Sequence, residues 1–81
     1  MKLRVKLFGS VRDDVGADFI EVDVPGQTSA QDLVSNLKRK YDALSIRKGP
    51  LLVAVNQKLA EPNTPIRDND EIAIFPMVSG G

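Results

Sequence analysis

The chain has 81 residues, 42% of them hydrophobic and 27% charged, with 11 Lys and Arg balancing 11 Asp and Glu. That describes one small globular domain without the positive excess that binding to a nucleic-acid backbone requires. It contains no Cys and no His, which excludes disulfides, thiolate or imidazole zinc sites, a Cys nucleophile and a His general base.

The start, Met1-Lys2-Leu3-Arg4, alternates polar and apolar residues. It lacks the continuous apolar core of a signal peptide, and no segment reaches transmembrane length. The expected setting is a reducing cytoplasm, with neither membrane nor nucleic acid as partner. Leu3, Val5 and Leu7 alternate with Lys2, Arg4 and Lys6, which predicts a strand with one buried and one basic face. Gly9 to Gly16 is one short helical turn or a loop. Ile20, Val22 and Val24 alternate with Glu21 and Asp23 in a second strand with an acidic outer face. Paired as an antiparallel hairpin, the two strands set opposite charges across from each other. Pro25-Gly26 ends the strand. Thr28 as N-cap with Gln31 three residues later fits a capping box. Ala30, Leu33, Val34, Leu37 and Tyr41 then share one helical face, and Lys38, Arg39 and Lys40 suit the negative end of the helix dipole.

Residues 42–50 read as a loop closed by Gly49-Pro50. The apolar run Leu51 to Val55 predicts a strand buried on both faces or at the sheet centre. Asn56-Gln57 reads as a turn and Lys58 to Ala60 as a short returning edge strand. Pro62 and Pro65 keep the next stretch irregular. Asp68-Asn69-Asp70 is a further turn, with Asn69 suited to a left-handed conformation. Ile72 and Ile74, alternating with Ala73 and Phe75, form the last strand. One amphipathic helix must bury its stripe on one face of a mixed sheet. With the first and last strands side by side at the centre, the fold class is α+β: a ubiquitin-like β-grasp of four to five strands on one main helix. Residues 1–75 are the expected domain, and 76–81 a flexible C-terminal tail ending in Gly-Gly.

Side-chain chemistry is sparse. Asp13 and Asp14 are adjacent and point apart, and Ser10 and Ser29 have no basic partner to activate them. The basic residues near the helix end suit a solvated surface, and no glycine-rich phosphate loop is present. The end of the chain, Phe75 to Gly81, is "FPMVSGG". Gly80 and Gly81 lack Cβ atoms and suit a narrow channel. Pro76 cannot donate to a ladder, and an extended run from Pro76 to Gly81 reaches about 20 Å. A frayed end and a terminus that is itself the reactive group are both compatible with these residues.

The whole chain resembles the MoaD family, the small subunit of molybdopterin synthase. "LFGSVRDDVG" (Leu7 to Gly16) is similar to the family's first strand and short helix. "LLVAVNQKLA" (Leu51 to Ala60) is similar to its central strand, turn and edge, and "DNDEIAIFPMVSGG" (Asp68 to Gly81) to its final strand and tail. The family commonly has a second proline where Met77 stands, and often Gly where Asn69 stands. The resemblance implies that an E1-like adenylyltransferase uses Mg and ATP to adenylate the Gly81 carboxylate. A sulfur donor protein then converts it to a thiocarboxylate. The tail, threaded through Gly80, delivers sulfur to cyclic pyranopterin monophosphate in the large synthase subunit, and two rounds build the dithiolene. The chain would be a carrier subunit in a heterotetramer, with catalytic side chains on the large subunit, and would itself bind no cofactor and no metal. Phe8, Leu59, Phe75, Pro76, Met77, Val78 and Ser79 are the expected partner-binding residues; ordinary core is the competing reading, strongest for Phe8 and Phe75. A sulfur carrier for thiamine or tRNA thiolation, a protein modifier conjugated through Gly81, and a binding module with an idle tail are the alternatives.

Overall fold

A computed structural model describes residues 1–77. Strand β1 (Lys2–Leu7) and strand β2 (Phe19–Asp23) flank helix α1 (Gly9–Val15). Strand β3 (Thr28–Ser29), helix α2 (Ala30–Lys40) and helix α3 (Asp42–Ser45) follow, and then β4 (Leu51–Val55), β5 (Lys58–Leu59), β6 (Pro65–Ile66) and β7 (Ile72–Pro76). The main sheet has five strands in the order β2-β1-β7-β4-β5, and β3 pairs with β6 in a small separate ladder. β1 and β7 are parallel neighbours at the sheet centre, while β1–β2, β4–β7 and β4–β5 are antiparallel. This is the α+β, ubiquitin-like β-grasp arrangement expected from the chain.

The period-two pattern of β1 appears as strict alternation, with Leu3, Val5 and Leu7 buried. Its register sets Lys2 opposite Asp23 and Arg4 opposite Glu21. Burial on the helix side joins Leu3, Val5 and Leu7 to Leu33 and Leu37 of α2, Ile72 and Ile74 of β7, Val11 of α1 and Leu44 of α3, all at most 2% exposed. Side chains of this kind each contribute about 1.5–3 kcal/mol when fully buried.

Several local expectations are corrected. Ser29, not Thr28, caps α2: its hydroxyl accepts from the Asp32 amide at 3.2 Å. Thr28 instead pairs with Ile66, so the helix cannot begin until the ladder ends. The stretch 42–50 is not wholly loop, because α3 forms there and buries Leu44 completely. Pro65 opens β6, where as the first strand residue it opposes Ser29. Asn69 is not left-handed; among the described non-glycine residues, Asn56 and Gln57 alone have positive φ, at 53° and 70°. They form the two-residue turn between β4 and β5, whose twist matches a hairpin. The Asp70 carboxylate closes the other turn by accepting from the Arg67 amide at 2.7 Å. In β4 only Val53 is buried: among the described residues no layer covers the second face of the sheet, and β5 is too short to shield the edge.

Candidate docking face and tail root

Side chains of successive strand residues point to opposite faces. Ile72 and Ile74 face the helices, so Ala73 and Phe75 face away from them. The register then places Leu52 beside Phe75, and Ala54 between Ala73 and Leu59, on this open face. Phe8 joins them. It keeps an extended conformation (φ −129°, ψ 158°), and its amide donates to the Ile74 carbonyl at 3.0 Å. That bond carries the parallel Leu7–Ile74 register one step further and brings Phe8 alongside Phe75.

Phe8 is 48% exposed, Leu59 66% and Met77 55%, while Phe75 and Pro76 are half-buried. Phe8 is therefore not core. Its place beside the last strand gives it the outward position that Lys6 has in β1. These exposed apolar side chains are gathered on one face rather than scattered singly. The other half of the open face is charged. There the Arg4 guanidinium lies 4.0 Å over the Phe19 ring, an arrangement worth about 0.5–1 kcal/mol at an exposed site. A shallow hollow of about 270 Å³ between Lys6, Phe8, Arg12 and Phe19 joins the two halves.

The end of β7 is held asymmetrically. In a parallel ladder the Phe8 carbonyl would next accept from residue 76, but Pro76 has no N–H. The Phe8 carbonyl instead accepts from the Arg12 amide at 3.4 Å, the first turn of α1. On the opposite side Pro76 still pairs with Leu51, and the Met77 amide donates to the Pro50 carbonyl at 3.4 Å. Proline thus ends pairing toward β1 while pairing toward β4 runs through Met77. Val78, Ser79, Gly80 and Gly81 lie outside the described residues.

Larger hollows, of about 670 and 460 Å³, lie on the helix side, one around Gly26–Ser29 and Asn63–Asp68 and the other between α2 and β4. Neither pairs a nucleophile with a base, and among the described residues no group of Asp and Glu is arranged to hold a metal. The titration of Asp70 is perturbed by structure, not poised for chemistry. The Arg67 amide and then the Asn56 side chain hold its carboxyl below the usual range, helped by the Arg67 charge and opposed by burial. Among the described residues no helix is long and apolar enough to cross a membrane.

Sequence reasoning missed Leu52, Ala54 and Ala73 as members of the face. The available signal was their alternation with Val53 and Ile74, obscured in Leu51–Val55 because every residue there is apolar.

The ThiS family profile matches residues 5–81. The molybdopterin synthase sulfur carrier subunit of Haemophilus influenzae is 40% identical over 98% of this chain and 99% of its own length. That of Escherichia coli is 38% identical with the same coverage. The crystal structure of SAMP1 from Haloferax volcanii superposes with a TM-score of 0.84 at 28% identity, over all of both chains.

Proposed function

The chain belongs to the ThiS family, and from that premise we propose that it is the sulfur carrier subunit of molybdopterin synthase, as the resemblance to MoaD proteins implies. The observation that carries the reading is the full-length similarity to the sulfur carrier subunits, joined to the apolar face at the root of a tail that ends in Gly80-Gly81.

A carboxylate repels nucleophiles. An E1-like adenylyltransferase, using Mg and ATP, makes the Gly81 carboxylate electrophilic by attaching AMP to one oxygen and releasing pyrophosphate. The terminal sulfur of a donor-protein persulfide then attacks the acyl carbon and displaces AMP, and a thiol reduces the resulting S–S bond, leaving a thiocarboxylate and the donor's own thiol. The open face docks on the large subunit through Phe8, Leu59, Phe75, Pro76 and Met77, with Val78 and Ser79 entering behind them. Gly80 threads the channel, and Gly81 delivers sulfur to cyclic pyranopterin monophosphate, twice per dithiolene. This chain supplies a carrier group, and the large subunit supplies the catalytic side chains, in a cytoplasmic heterotetramer. The chain itself needs no resident cofactor or metal.

The test is reconstitution. The chain, an E1-like enzyme, Mg-ATP, a sulfur donor, the large subunit and cyclic pyranopterin monophosphate should together yield molybdopterin. Loss of product on deleting Gly81 supports the reading; product without Gly81 contradicts it. A second reading, conjugation through Gly81 to lysine amines, is favoured by the likeness to SAMP1, a small archaeal modifier protein. Higher-mass conjugates in cell extract that vanish without Gly81 are its signature.

A further inference from the structure

We propose that Gly9 is a positioning residue for the C-terminal tail: lacking a Cβ in a left-handed turn, it lets the Pro76 ring rest against the β1–α1 junction and so sets the line on which the chain leaves β7. Gly9 has φ +60°, and a Cβ built there would stand 3.3 Å from both Cγ and Cδ of Pro76. Carbon atoms in good contact are about 3.5–4.0 Å apart. Gly16 and Gly49 also have positive φ, at 84° and 87°, but face open space. Among the described glycines, only Gly9 combines the left-handed turn with a close neighbour.

The ring has little freedom to yield. Gly9 follows Phe8, whose amide holds the Ile74 carbonyl. On its other side Pro76 is paired to Leu51, and the next amide is bonded to Pro50. A side chain at residue 9 therefore presses on the ring, and the ring, whose φ is fixed, passes the displacement to Met77 and onward.

This rests on the sulfur carrier reading, in which the Gly81 carboxylate must meet the reacting phosphorus of ATP in a partner's site. The experiment compares wild type, Gly9→Ala, Gly9→Asn, Pro76→Ala and Gly9→Ala/Pro76→Ala. It follows carrier-dependent pyrophosphate release by the E1-like enzyme, alongside thermal melting of each variant. Misplacing a reacting group by 1 Å costs about 100-fold, so a root displaced by about 0.3 Å should lower kcat about 4-fold. KM should change less than about twofold, because Phe8, Leu59 and Phe75 keep their places and Pro76 and Met77 shift by only a few tenths of an ångström. Asn tolerates the left-handed conformation but carries a Cβ, so Gly9→Asn should lose as much as Gly9→Ala. With the ring removed, Gly9→Ala should cost less than about twofold beyond Pro76→Ala alone.

Wild-type kcat in Gly9→Ala or Gly9→Asn overturns the inference. So does an undiminished loss in the Pro76→Ala background, which would assign the effect to backbone strain. The Met77 amide resonance of the free protein gives a readout without the enzyme: it should shift in Gly9→Ala and Gly9→Asn, and an unshifted resonance overturns the geometry. If wild type releases no pyrophosphate with its cognate enzyme, the carrier reading fails, while this resonance still decides the contact between Gly9 and Pro76.

Discussion

Replacing Met77 by Asp should release the chain from the large synthase subunit without unfolding it. Met77 is 55% exposed, so about half of the 1.5–3 kcal/mol available from burying a methionine side chain remains to be gained on docking, or about 1 kcal/mol. An aspartate there forfeits that gain. It also leaves a carboxylate without partners in the contact, costing about 1–3 kcal/mol more. The sum, about 2–4 kcal/mol, is a Kd weakened about 30-fold or more. Stability should change by less than about 0.5 kcal/mol, since the side chain contributes little to the fold. Isothermal titration calorimetry against the large subunit reads the first quantity and urea denaturation the second. Ile46→Asp is the control. Ile46 is 80% exposed but caps α3 on the helix side, so its Kd should stay within about twofold of wild type. An unchanged Kd for Met77→Asp, or equal weakening by Ile46→Asp, would refute the docking face.

The Arg47 guanidinium donates to Asp14 and Ser10 of α1, and its side chain is 16% exposed. Arg47→Ala should cost about 1–3 kcal/mol in urea denaturation, toward the lower end because Nε is buried without a partner; a change below about 0.5 kcal/mol would contradict the tie. Because the Arg67 amide and the Asn56 side chain lower the folded-state pKa of Asp70, its contribution is complete above the unfolded value of about 4 and is lost as pH falls through the folded value. Asp70→Asn should flatten the stability–pH curve below about pH 4, and an unaltered slope would disprove the contribution. Gln57 has φ 70°, so Gln57→Gly should raise stability by about 0.5–1 kcal/mol as relieved strain outweighs added chain entropy; a lower urea midpoint would contradict that balance.

Where one face of an element is apolar and the other charged, the chain declares its structure. β1, β2 and the stripe of α2 are legible for that reason, and Asn56-Gln57 is legible as a turn because two hydrophobic runs flank it. The run Leu51–Val55 is not legible in the same way. With every residue apolar, its pattern holds no sign that the second sheet face would be uncovered, although Lys58 to Ala60 reads correctly as a short edge strand. The β3–β6 ladder is hidden by its length and by Pro65, a residue that argues against a strand. Thr28 and Ser29 are both good caps, and only the ladder partner decides between them. In the candidate site, Leu59 and Met77 stand out because each follows a turn or a proline. Phe8 does not, because whether a residue just past a strand turns inward depends on its neighbour across the sheet. Gly9 is the extreme case: no local pattern encodes that a Cβ there would stand 3.3 Å from the Pro76 ring.

The most direct measurement is intact mass spectrometry of the chain after incubation with its cognate E1-like enzyme, Mg-ATP and a sulfur donor. The account predicts a gain equal to exchanging one oxygen for sulfur, with fragment ions placing it on Gly81 and no gain when ATP is withheld. A folded chain whose mass stays unchanged with that enzyme, or a sulfur found anywhere but Gly81, would contradict it.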